Sequence, residues 1–224
     1  MPTRSASPKV QNKSVARGRT NDSEKTKSEI LDVAFAEFTE NGFSGARVDE
    51  IAARTRTSKR MLYYYFESKD GLYKAVLTEY YRRLRGAERS LSLDTKPPLE
   101  ALRELVEFSF DYHNAHPEGV RLILVENIHY ARFVTQLPTV EAMNSEIIKS
   151  VHDICERGVK LGVIRPDIDP VDLYQSIAAL SFFNVSNRYT FSTIFKRDMS
   201  SKAALAARKR SVVESILKFV TACP

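Results

Sequence analysis

The stretch Arg47-Val48-Asp49-Glu50-Ile51-Ala52-Ala53-Arg54-Thr55-Arg56-Thr57-Ser58-Lys59-Arg60-Met61-Leu62-Tyr63-Tyr64-Tyr65-Phe66 reads as two short helices joined by a tight turn. In the first half, Val48, Ile51 and Ala52 fall at i, i+3 and i+4, so one apolar stripe faces inward while Asp49, Glu50 and Arg54 stay wet. Asp49 and Glu50 sit in the first turn, where the positive end of the helix dipole favours carboxylates. In the second half, Leu62 and Phe66 are one turn apart and close the inner side, which leaves Lys59, Arg60, Tyr63 and Tyr64 facing outward. Thr57 or Ser58 is placed to cap this second helix through a side-chain oxygen. Helices this short dock but do not stand alone.

That layout is the layout of a helix-turn-helix DNA reader. In such modules the first residues of the second helix meet base edges in the major groove, and nearby tyrosines and lysines hold phosphates. Taken alone, a basic, tyrosine-rich helix reads equally as a solvated face. The flanking segments separate the two readings.

Ahead of the motif, Ile30, Leu31, Ala34, Phe35 and Phe38 form a helical stripe that ends in Glu40-Asn41-Gly42-Phe43. Behind it runs Tyr63-Tyr64-Tyr65-Phe66-Glu67-Ser68-Lys69-Asp70-Gly71-Leu72-Tyr73. In spacing, aromatic positions and the Ser-Lys step, Ser23 to Tyr80 resembles the TetR family of bacterial transcriptional regulators. The resemblance implies that Lys59, Arg60 and Met61 face bases, that Tyr63, Tyr64 and Tyr65 contact phosphates, and that Lys69 binds a phosphate at the start of the next helix. Thr57 and Ser58, at the start of the reading helix, complete the expected contact set with Arg47 and Arg56. Arg47 stands where many relatives carry a phosphate-contacting threonine, and Arg56 where they usually carry the turn glycine. A non-glycine residue in a left-handed turn is strained. Either the turn has another shape, or Arg56 accepts that cost and reaches a phosphate. Arg60 offers a bidentate grip on guanine O6 and N7, worth about 1–3 kcal/mol in discrimination, or else a phosphate contact.

The charge pattern points the same way. The chain has 224 residues and a net charge of +6, and residues 1–21 hold five cations and no acid. Rich in Ser, Pro, Thr, Asn and Gln, that tail is expected to be irregular, serving either as a basic arm along DNA or as a solubilising segment. Only Cys155 and Cys223 are present, so a disulfide framework is not expected. No secretory h-region and no run long enough to span a bilayer appear, which predicts a cytoplasmic protein that does not enter membranes.

Past the reader, helical periods continue and strand signals do not, which predicts an all-α chain. Its expected parts are the tail over residues 1–21, a helix-turn-helix domain over 22–68, a linking helix over 69–91 and an effector-binding, dimerising domain over 92–224. Helices are expected over Lys69 to Arg89, Leu99 to Ala115, Glu118 to Tyr130, Thr139 to Lys160, Pro170 to Tyr189 and Lys202 to Thr221. The resemblance implies a homodimer through the last two helices and a pocket for a small effector. Leu173, Ile177, Leu180 and Val185, with Val212, Val213, Ile216, Leu217 and Val220, give those helices apolar faces that need cover from their own domain or from a second subunit. Phe108, Tyr112, Leu124, Asn127, Ile128, Phe133, Ile148, His152, Phe182 and Phe183 combine apolar walls with polar handles and are the candidate pocket lining, or else plain core.

Catalysis finds no support. Glu126 and His129 form one Glu-x-x-His step, half of what a di-iron bundle needs. His113 and His116 lack further ligands to complete a metal sphere and read as exposed or capping residues near Pro117. No phosphate loop, Gly-x-Ser-x-Gly elbow or Cys-x-x-Cys pair is present. The expectation is therefore a regulator of double-stranded operator DNA with no cofactor, no metal and no catalytic residue. It would be released by a small effector or controlled by a partner or by its abundance.

Overall fold

The computed structural model describes residues 14–222, with side chains from Ser23 onward. Residues 1–13 of the basic tail, and Cys223, lie outside the described part. Residues 14–21, expected to be irregular, instead continue the first helix as helical backbone. Once a helix is nucleated against a core, each added residue gains a hydrogen bond at little cost, and no proline interrupts residues 9–96.

Ten α-helices occur among the described residues, and the β pairing there is a single bridge between Ile164 and Thr221. Helix α1 (Ser14–Gly45) bends at Gly42, whose φ of 67° is open to glycine at no steric cost. Helices α2 (Val48–Arg54) and α3 (Lys59–Phe66) follow, then the long α4 (Lys69–Arg89). The chain continues through α5 (Pro98–Ala115), α6 (Pro117–Ile128), α7 (Pro138–Lys160), α8 (Pro170–Ser186), α9 (Arg188–Phe195) and α10 (Lys202–Val220). Helices α5 to α8 each open on proline, whose fixed φ and missing N–H suit the first helical position.

Helix α4 starts where the sequence places it, with Ser68 Oγ accepting from the Gly71 N–H at 3.0 Å. Gly71 is required there, because a Cβ would stand 2.0 Å from the Phe66 carbonyl oxygen. One helix escaped the sequence reading. The segment expected as a single helix to Tyr189 breaks at Asn187, and α9 runs on to Phe195. The Asn187 amide donates to Ser186 Oγ at 2.8 Å, the local side-chain bonding that competes with helix propagation.

Two apolar cores result. The first gathers Ile30, Ala34 and Phe38 of α1, Val48, Ile51 and Ala52 of α2, Leu62 of α3 and the inner face of α4. It also takes in Leu122 of α6 and Phe133 from the turn that follows. The second joins α5, α7, α8 and α10 through residues such as Leu105, Val151, Ile177 and Ile216. The apolar faces of α8 and α10 are thus covered by their own chain: Leu173, Ile177, Val212, Val213, Ile216 and Val220 are all buried against α5 and α7. What remains exposed at this end is Val171, Phe183 and Phe219, with Tyr189, Ile194 and Phe195 on α9.

Candidate nucleic-acid interface and effector groove

The turn between α2 and α3 closes as a Schellman motif. The Thr57 N–H bonds the Ala52 carbonyl at 3.0 Å and the Arg56 N–H bonds that of Ala53 at 3.2 Å. Arg56 takes the position that favours glycine, at φ 51°. Of the two alternatives left open by the sequence, the turn therefore keeps its shape and Arg56 carries the strain. The cap is Ser58, whose Oγ accepts from the Met61 N–H at 3.2 Å, whereas Thr57 Oγ1 turns back to the Thr55 carbonyl at 3.3 Å.

Glu37 fixes the pair of helices onto α1. Nearly buried, it accepts from the Arg47 N–H at 3.0 Å and lies 3.6 Å from the Arg54 guanidinium. Nothing in the sequence pattern marked it, because a carboxylate one position before Phe38 reads as the wet side of α1.

Arg47, Arg56, Ser58, Lys59, Arg60, Met61, Tyr63 and Tyr64 are exposed together along the turn and α3, with Tyr64 at 76 %. Three of the expected contact residues are turned toward the protein. Lys59 Nζ pairs with Asp49 across the turn at 3.1 Å, which raises its pKa through the hydrogen bond and charge of that carboxylate. Tyr65 is half-buried with the Lys27 ammonium 5.6 Å over its ring. Lys69 Nζ donates to the Ser44 carbonyl at 3.3 Å and sits 5.1 Å over the Phe43 ring. Exposed ion pairs of this kind are weak and screened by salt, so a phosphate can replace the partner of Lys59.

The ten residues expected to line an effector pocket do not share a cavity. Phe133 is sealed in the first core, Phe108 and Tyr112 pack against that core with rings 5.4 Å apart, and Ile128 and His152 are exposed. Leu124 and Ile148 are half-buried on different helices. Phe183 faces a separate groove with Phe191 and Met199. Asn127 and Phe182 alone among the ten come together, in a groove of about 400 Å³ bounded by α4, α5, α6, α7 and α8. Helical period tells which residues lie on one face of one helix, but the crossing of five helices decides which faces meet.

Residues that the sequence reading passed over furnish that groove, Tyr80, Tyr81 and Arg85 from α4 and Tyr174 from α8, together with His113 of α5, which was read as exposed or capping and instead faces inward among these rings. Arg85 and Glu88 form a buried ion pair, and Arg85 Nη1 also donates to the Tyr174 hydroxyl at 2.7 Å. Burial pushes the Glu88 carboxyl up and the Tyr174 phenol up with it. Burial also pushes the His113 imidazole down to about 4, and its ring stands edge-on to Phe182 at 5.8 Å. His116 diverges from it, its ring tilted against that of Tyr112 at 4.5 Å near Glu118. Glu126 serves the backbone, its Oε2 accepting from the N–H groups of Phe133 and Val134.

A capped second helix, held on a first by a Schellman turn and presenting cations and tyrosines outward, defines a helix-turn-helix DNA-binding transcriptional regulator. Residues 30–76 match the family described as bacterial regulatory proteins, tetR family, and residues 98–216 match the tetracyclin repressor-like C-terminal domain. The chain belongs to the TetR family. It is 36 % identical to the HTH-type transcriptional repressor NicS of Pseudomonas putida, over 84 % of this chain and 89 % of that protein. It is 31 % identical to the HTH-type transcriptional repressor SCO4008 of Streptomyces coelicolor, over 71 % of this chain and 78 % of that one. The fold is shared with a tetR-family regulatory protein from Rhodococcus, at a TM-score of 0.70 and 18 % identity over 89 % of this chain and 99 % of the other.

Proposed function

We propose that this regulator is a repressor that grips a two-fold operator as a homodimer and leaves it when a small molecule enters the groove beside α4. The observation that carries the reading is the exposed ridge from Arg56 to Tyr64, set outward by the Ser58 cap. Arg60 and Met61 enter the major groove, where Arg60 takes a guanine edge. Arg47, Arg56, Thr57, Ser58, Tyr63, Tyr64 and Tyr65 meet the backbone, and Lys69 exchanges its present partner for a phosphate. Lys59, expected from the resemblance to face bases, is drawn aside by Asp49, and we read it as a phosphate contact as well. Residues 22–68 act as the reading domain, α4 as the link and residues 92–224 as the responding part. The repressor sense is supported by the names of the two relatives above. Pairing draws on the exposed Phe183 and Phe219 of α8 and α10, since the inner faces of those helices are already occupied. Among the described residues no helix is long and apolar enough to cross a membrane, and we read the protein as working in the cytoplasm without catalysis.

The test is to incubate the purified protein with sheared genomic DNA and sequence what it retains. Retained fragments should share an inverted repeat whose half-sites lie about one helical turn apart or a multiple of it. Retention no better than bulk DNA at low salt overturns the reading.

A further inference from the structure

The groove between α4, α6 and α8 has an unequal chemistry. No acidic side chain lines it, and its one fixed charge is Arg85. The Arg85 side chain is only 6 % exposed, and its Nε has no hydrogen-bond partner, although Nη1 serves both Glu88 and Tyr174. His113 lies on the same groove, its imidazole N–H held by the Ser109 backbone carbonyl one turn earlier. Buried nitrogens without an acceptor are uncommon, because each has given up water and gained nothing for it. The rings of Tyr80, Tyr81, Tyr174 and Phe182 line the same groove, while Ala178 and Ala179, with only methyl side chains, leave a slot in its wall.

We propose that the effector taken by this groove is a flat aromatic molecule bearing one carboxylate, which accepts a hydrogen bond from Arg85 Nε. The inference rests on reading the groove as the effector site. A carboxylate suits a guanidinium edge better than a neutral oxygen does, since hydrogen bonds between charged partners are the stronger ones. One or two fused rings match the space, and their faces and edges find aromatic neighbours. Arg85 Nε is sealed under the groove's side chains, so the carboxylate reaches it by parting α4 from α8. Entry is thereby tied to movement of the helix that leads back to the reading domain.

The test uses the full chain with benzoate and naphthoate, and with benzamide and naphthamide as uncharged counterparts. Melting temperature and release of retained genomic DNA are both followed. Two variants accompany it: Arg85→Lys keeps a cation beside Glu88 but removes Nε, and Ala178→Leu fills the slot without touching the ion pair. Circular dichroism checks that each is folded. The carboxylates should raise the melting temperature and release DNA while the amides do neither. Ala178→Leu should abolish both effects, and Arg85→Lys should weaken binding roughly tenfold or more. If the amides act as well as the acids and Ala178→Leu removes both responses, the groove stands as the effector site and the carboxylate is overturned. If carboxylates act equally on Ala178→Leu, or have no effect on the native chain at millimolar concentration, the inference fails whatever DNA the protein retains.

Discussion

The ring of Phe133, carried by the turn after α6, lies 4.6 Å from the ring of Phe43 at the end of α1. Phe133 also meets Tyr73 edge-on at 5.0 Å and is 1 % exposed, so a residue from the responding half completes the core under the reading helices. The turn that delivers it is strained, with Tyr130 and Ala131 both left-handed at φ 56° and 57°. Such conformations cost about 1–2 kcal/mol each and persist where surrounding contacts over-determine them. Phe133→Ala should lose about 3–5 kcal/mol of stability, and Phe133→Leu clearly less. Urea unfolding followed by circular dichroism measures both.

Arg56 offers a case in which stability and function pull apart. At φ 51° it carries the strain of a left-handed turn, so Arg56→Gly should stabilise the fold by about 0.5–1 kcal/mol after glycine's extra entropy is set against the relief. The same change should lower operator affinity and reduce its salt slope by roughly 0.9, the loss of one phosphate contact. An unchanged slope would place the guanidinium away from DNA.

Arg60 and Lys69 divide the work of binding. Arg60 projects from the first turn of α3, so Arg60→Ala should relax sequence preference at one base pair by about 1–3 kcal/mol. Lys69 rests on the Ser44 carbonyl at the corner, so Lys69→Ala should weaken every sequence alike. Affinities for the operator and for single-base variants, at fixed salt, distinguish the two patterns.

The His113 imidazole gives the fold an acid limit. Burial holds it at about 4 against 6.5 for a free imidazole, so the unfolded chain binds its proton first as the solution is acidified. Its contribution is fully present above pH 6.5 and is lost as pH falls toward 4, on the order of 3 kcal/mol in total. His113→Gln should flatten the change in urea midpoint across that window, while stability at neutral pH moves less.

Local chemistry made much of the fold legible. The stripe of Val48, Ile51 and Ala52, the Ser68 cap and the prolines at 98, 117, 138 and 170 act within a few residues, and the helices began close to where those signals put them. Arg56 was legible in part: the resemblance marked its position as one that favours glycine, but whether the turn kept its shape stayed open until the structure set its φ at 51°. What could not be read were meetings between distant helices. Aromatic residues recur on seven of the ten helices among the described residues, so Phe108, Phe133 and Phe183 looked alike, yet packing sends the first two to the first core and Phe183 to an outer groove. Nothing local marked Arg85 and Glu88, one turn apart on the linking helix, because their burial depends on α8 bringing Tyr174 over them.

Because Leu122 and Phe133 are built into the floor beneath the first four helices, the reader is not a detachable cartridge. A fragment cut after α4 would bare that floor to water, and a chimera that joined this head to another family member's body would leave a hole unless matching side chains were transplanted with it.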